Sequence, residues 1–165
     1  MSGLPFSSQV SELGAITLRP FNNVTSQYLA EACAAIDPWA KAGIPASSLI
    51  RAFHPVSDAI HPRVIEFENQ IAGAAIIQHP WLKGPYLQFL AILPSFQRRG
   101  IGVSILNWME KEAGPSSRNL WVLATDFNEA ALAFYENSGF TQVAPLPDLA
   151  LDGCSEILLR KILSG

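Results

Sequence analysis

Residues 85–113 read PYLQFLAILPSFQRRGIGVSILNWMEKEA. From Tyr86 to Leu93 the run is almost wholly apolar and carries no charge, which predicts a central strand buried on both faces. Pro94 ends it, because proline has no N–H to give to a sheet ladder. Ile101, Ile105, Leu106 and Met109 then recur at helical spacing until Gly114-Pro115 stops the helix. Between strand and helix stands a basic glycine turn, Gln97-Arg98-Arg99-Gly100-Ile101-Gly102. A helix start leaves backbone N–H groups without intrahelical acceptors, and the aligned peptide dipoles add partial positive charge there. Glycines let a bulky ligand approach the backbone, and two arginines add formal charge. The turn is therefore read as a phosphate-binding loop.

Two familiar phosphate loops fail on their own terms. A dinucleotide fingerprint needs a third glycine where Ile105 stands, and no G-K-S or G-K-T tripeptide exists for a mononucleotide loop. The pattern Q/R-x-x-G-x-G/A is met by Gln97, Gly100 and Gly102. One helix and one strand further on comes Asn128-x-x-Ala131-x-x-x-Tyr135, followed by Gly139-Phe140. In this order the two motifs resemble those of the GCN5-related N-acetyltransferases, the GNAT superfamily. The resemblance covers roughly residues 15–162, with its specific part at 86–140.

The resemblance implies an α/β fold: a mixed, mostly antiparallel sheet with a splayed parallel strand pair, 86–93 and 119–125, flanked by helices. It implies acetyl-CoA as cosubstrate. The pantetheine arm would enter the V between the two strands and pair with the backbone near Ile92 and Leu93. Backbone N–H groups of Gln97, Arg98, Arg99, Gly100, Ile101, Gly102 and Val103 would hold the pyrophosphate. Asn128 would hydrogen-bond the cofactor arm, and Ala131 would be small because the arm passes over it. Tyr135 is the expected general acid, since a phenol with a pKa of about 10 is protonated at neutral pH and can protonate the departing thiolate. The acyl group would pass directly to a primary amine in a ternary complex.

The amine must first lose a proton. With a pKa of about 10.4 it is only ~0.1% neutral near pH 7.4, a deficit of roughly 4 kcal/mol. Family members often carry a carboxylate on the strand before the phosphate loop, where this chain has Gln88. Glu66, Glu68 and His79 are the substitutes that the sequence offers. A domain that binds acyl-CoA but turns over weakly is the competing function, and an interaction domain without cofactor is a third.

The totals narrow the field. The chain has 165 residues, 49% hydrophobic and 15% charged, enough for one domain with its own core. A net charge of -3 offers no basic stripe for nucleic acid. No run of about 18 apolar residues suggests a membrane span. The first residues lack the basic start and apolar core of a secretion signal, and Cys33 and Cys154 lie far apart, so a cytoplasmic protein is expected. His54, His61 and His79 each precede proline with no acidic or thiol partner at ligand spacing, so no metal is expected. The acceptor would be a small-molecule or peptide amine, and a homodimer would be in keeping with the family.

Along the chain, residues 1–14 read as a flexible lead-in to a single domain, 15–165. A strand at 15–19 precedes a helix capped by Asn22 or Asn23, with Tyr28, Leu29, Ala32, Cys33 and Ile36 on its apolar face. A short helix after Pro45 uses Leu49, Ile50 and Phe53, and residues 54–62 read as a loop. Val64 to Phe67 and Ile71 to Gln78 form a hairpin around Asn69-Gln70. Residues 79–85 read as a connection. Strands at 119–125, 140–143 and 156–162, and a helix ending at Gly139, complete the order.

Overall fold

The computed structural model describes residues 3–7 and 9–164. The strands are β1 (Ser11–Leu13), β2 (Ile16–Arg19), β3 (Ile60–Phe67), β4 (Gln70–Trp81), β5 (Gly84–Ile92), β6 (Asn119–Thr125), β7 (Thr141–Pro147) and β8 (Ser155–Ile162). The helices are α1 (Asn23–Ala34), α2 (Trp39–Ala42), α3 (Ala46–Phe53), α4 (Ile101–Ala113) and α5 (Glu129–Asn137). All eight strands join one sheet in the order β1-β2-β3-β4-β5-β6-β8-β7. Every neighbouring pair is antiparallel except β5 and β6, which run parallel. This is the mixed α/β architecture expected from the sequence.

Strand alternation divides the core between the two faces. Ile65, Ala75 and Ile77 belong to a cluster with Ile101, Ile105 and Met109 of α4. Their neighbours Val64, Ala74 and Ile76 belong to a second cluster with Leu29 and Cys33 of α1 and Leu49 and Phe53 of α3. Successive strand residues point to opposite faces, so α4 covers one side and α1 and α3 the other. At Gly73 the β4 and β5 backbones come so close that a Cβ would lie 2.0 Å from the Ala91 carbonyl oxygen.

Several local expectations need correction. The lead-in is built into the fold: Phe6 is 0% exposed, and β1 pairs with β2. An apolar side chain that finds a closed pocket anchors the polar residues around it. On α1, capped by the Asn22 side chain, the buried residues are Ser26, Leu29, Ala30 and Cys33, while Tyr28 is 50% exposed. The buried stripe is thus rotated away from the tyrosine. The β3–β4 turn lies one residue earlier than expected, because Glu68 and Asn69 take the positive φ values. Residues 79–85 are mostly strand, with a tight turn at Leu82-Lys83, again both at positive φ. Ile60 to Pro62 belong to β3 rather than to a loop. The last hairpin is longer than expected, with β7 running to Pro147 and β8 starting at Ser155.

Candidate active site

The parallel pair sets up the site. β5 and β6 are in register only at Tyr86–Trp121 and Leu87–Val122. Beyond that point β5 stays with β4 as far as Ile92, and β6 stays with β8 as far as Thr125. The two strands therefore diverge towards the C-terminal end of β5. A bulge marks the divergence: Ile76 pairs with Phe89 and Ile77 with Leu87, so Gln88 is the extra residue on β5. Gln88 is exposed, which corrects the expectation of a strand buried throughout.

Two cavities open at the wedge. One, of about 520 Å³, lies between the end of β5 and the starts of α4 and α5. Gln97, Arg98, Gly100, Ile101, Gly102 and Val103 form one wall. After a 3₁₀ turn at Pro94–Phe96 the chain takes φ 63° at Arg98 and 76° at Gly100, then enters α4. Gly100 caps the helix without a side-chain hydrogen bond, so the first N–H groups of α4 have no capping side chain. The Gln97 side chain is turned back, donating to the Ile92 carbonyl at 3.0 Å. Ile92, Asn128, Ala131, Phe134 and Tyr135 complete the opposite wall.

The other cavity, of about 360 Å³, adjoins the first. Trp39, Ile44 and Phe89 form one side, the β7–β8 loop brings Leu149, Ala150 and Leu151 over it, and Tyr86, Gln88, Thr125 and Glu156 supply polar atoms. Leu90, Asn128, Ala131 and Tyr135 wall both cavities, so the two share a boundary at the wedge.

Tyr135 is 6% exposed and packs edge-on against Phe140 at 5.5 Å. Burial, and secondarily the neighbouring Tyr86 phenol, push its pKa well above the usual tyrosine value. Tyr86 is itself pushed up to about 12, by burial first and then by the negative charge of Glu156. Both phenols hold their protons at neutral pH. Asn128 caps α5, its Oδ1 accepting from the Ala131 N–H at 3.2 Å, and its NH₂ is left to the cavities.

Not every expected residue lies at the site. Leu93 is buried in the second core cluster, with its N–H donated to the Ala72 carbonyl. Arg99 is not among the residues lining the larger cavity, and its side chain sits over the rings of Phe67 and Phe96. Neither Glu66 nor Glu68 lines either of these two cavities. Glu66 pairs with Arg19 at 3.0 Å, two strands away from β5, and Glu68 lies in the β3–β4 turn. His79 packs against Phe6. Sequence reasoning missed Tyr86, Thr125 and Glu156. The last two meet only because β8 inserts beside β6, an order that alternation within a strand does not reveal.

Known proteins match this geometry. The family model of the acetyltransferase (GNAT) domain matches residues 59–142, slightly more than half of the chain. An acetyltransferase from Thermus thermophilus superimposes with a TM-score of 0.71 at 18% identity, covering 93% of this chain and 100% of that one. An aminoglycoside 6′-N-acetyltransferase complexed with coenzyme A gives 0.70 at 16% identity, over 90% of this chain and 97% of its own. A ribosomal-protein α-N-acetyltransferase in complex with coenzyme A gives 0.71 at 15%, over 93% and 98%. At such identities these likenesses speak for the fold, and the family match carries the assignment. Two motifs, a splayed strand pair and a helix start facing the wedge agree with it: the chain belongs to the GNAT acetyltransferase family.

Proposed function

We propose that this protein is an N-acetyltransferase that moves an acetyl group from acetyl-CoA to a primary amine by direct attack in a ternary complex. The carrying observation is the shared boundary of the two cavities, with Tyr135 on it. The larger cavity suits the cosubstrate: the α4 N-terminus, Arg98 and Gly102 would receive the pyrophosphate, and the edge of β5 that β6 leaves open beyond Leu87 would receive the pantetheine arm. Coenzyme A bound to the two family structures named above supports that choice. The smaller cavity would hold the amine.

Tyr135 would act as general acid. Its raised pKa keeps the proton on the phenol until a thiolate develops next to it. Asn128 would use its free NH₂ on the cosubstrate arm, and Ala131 would leave room for that arm. We read residues 15–165 as one catalytic domain, with the described part of 1–14 packed onto it.

Thermal unfolding with and without acetyl-CoA tests the cosubstrate site. Ligand at about 100 times its dissociation constant should add roughly 2.7 kcal/mol, or on the order of 5–10 °C for a chain of this size. A Gly102→Glu variant should show little or no ligand-dependent shift. Absence of any shift in the wild type at saturating acetyl-CoA would end the acetyltransferase reading.

A second reading is kept by one observation. Gln88, at the bulge where the splay begins, cannot serve as a carboxylate base. A weakly catalytic acyl-CoA-binding module would bind acetyl-CoA without releasing thiol to any amine.

A further inference from the structure

Building on that reading, we infer that Glu156 of β8 receives the acceptor amine and takes its proton, and that the acceptor is a monoamine with a compact apolar body. Glu156 is the only carboxylate among the described residues lining the smaller cavity, and no Lys, Arg or His is among them. It stands opposite Thr125 across the β6–β8 ladder, and the Thr125 hydroxyl donates to its Oε1 at 2.7 Å. That bond holds Oε1 and leaves Oε2 without a hydrogen-bond partner among the described residues. A half-buried carboxylate without a cationic side chain on its own cavity wall lacks the counter-ion that such a charge calls for. An ammonium group would supply it.

The placement also suits proton transfer. Glu156 and Tyr135 line one cavity with Tyr86, which is close enough to Glu156 to feel its charge and close enough to Tyr135 to act on it. The amine would thus lie between a base on β8 and an acid on α5. The ammonium gives one proton to Glu156, and the freed nitrogen lone pair forms the C–N bond to the thioester carbonyl carbon. The C–S bond breaks with its electron pair going to sulfur, and Tyr135 protonates that sulfur. The second proton shed by nitrogen as the amide forms returns to the phenolate through solvent, and Glu156 releases its proton to water. The products are amide, thiol and one proton.

The walls restrict the rest of the substrate. Trp39, Ile44, Phe89, Leu149 and Leu151 present apolar surface. A second ammonium on the acceptor would be desolvated against them without a partner. This disfavours polyamines and aminoglycosides and favours an aromatic or branched aliphatic monoamine.

The test measures thiol release from acetyl-CoA with 2-phenylethylamine, 3-methylbutylamine, spermidine and kanamycin. The two monoamines should exceed the two polycations in kcat/KM by about tenfold or more. A preference for spermidine or kanamycin, or acetyl-CoA binding with no turnover of any of the four, would overturn the substrate class. Glu156→Gln keeps an acceptor for Thr125 but removes the base. It should lower kcat/KM about 10²–10⁴-fold near pH 7, with the deficit narrowing as the pH approaches the amine's own pKa of about 10. Glu156→Asp should recover part of the loss. The thermal shift with acetyl-CoA should be unchanged in both variants, because Glu156 does not line the larger cavity. A deficit constant with pH, or none, would remove Glu156 as the base while leaving the acetyltransferase reading intact. Loss of acetyl-CoA binding in the wild type would remove that reading itself.

Discussion

The ring of Phe134 on α5 occupies the space that a side chain at Gly102 on α4 would need: a Cβ there would stand 2.8 Å from the Phe134 Cζ. The glycine of the phosphate-loop motif is therefore also a packing requirement between two helices. Phe134 lines the larger cavity, so a displaced ring reshapes that wall. Gly102→Ala should change stability by less than about 1 kcal/mol, since the end of a side chain can swing away and alanine favours the helix by a similar amount. Acetyl-CoA binding should weaken by on the order of tenfold, and Phe134→Ala in the same chain should restore much of it. Calorimetric titration of the two single variants and the double variant checks the coupling, and additive losses would show that the ring plays no part.

Tyr135→Phe separates chemistry from binding. The ring packs between Phe134 and Phe140, and phenylalanine preserves that packing. The thermal shift with acetyl-CoA should persist while kcat falls about 10²–10⁴-fold. The wild-type pH profile should also lack a descending limb near pH 10, because burial raises the phenol and keeps the acid form present beyond the usual tyrosine range. A fall in kcat centred at pH 10 would assign the acid role to a solvated group.

Phe6 shows what the N-terminal segment does for the fold. Its ring meets Trp108 edge-on at 5.3 Å, its N–H donates to Glu112 at 2.9 Å, and its carbonyl accepts from Arg63 at 2.8 Å. Phe6→Ala should cost about 3–5 kcal/mol, as for other wholly buried aromatics. Urea unfolding followed by tryptophan fluorescence measures it. A loss below about 1 kcal/mol would mean that the segment is dispensable.

The fold was legible wherever a motif fixed the local geometry. Gly100, Gly114 and Gly139 sit at positive φ where the turn and the helix ends were expected, and Asn119–Thr125 matches the strand residue for residue. It was less legible at Leu82-Lys83 and Glu68, because such residues at positive φ carry no compositional mark, whereas Asn69 marked a turn but not its position to the residue. The loop Gln97 to Gly102 could be named as a contiguous basic glycine turn at a helix start, and Asn128, Ala131 and Tyr135 only through the motif that resembles the GNAT family's. Glu156 could not, since its place depends on which strand lies beside β6, a fact of tertiary pairing. Glu66 alternates with apolar residues much as a pocket carboxylate would, yet its partner is Arg19 on the neighbouring strand.

Protonation of two histidines should weaken the protein at mildly acid pH. His61 on β3 and His79 on β4 both lie near Phe6, with ring centroids at 6.0 and 5.3 Å. Burial lowers the pKa of each; at His61 the charges of Arg63 and His79 lower it further, and Asp58 opposes them. Their folded pKa values thus lie below 6.5, the value expected in the unfolded chain. Between the two the unfolded state binds more protons, so stability rises with pH across that window. The contribution is fully present above about pH 6.5 and is lost as the pH falls through the lowered folded values. Urea unfolding at pH 7.5 and 5.5 should show the wild type losing stability over a range in which ordinary carboxylates remain ionised. A His61→Gln, His79→Gln double variant should lose distinctly less over the same interval, and parallel losses in the two proteins would assign the acid sensitivity to other groups.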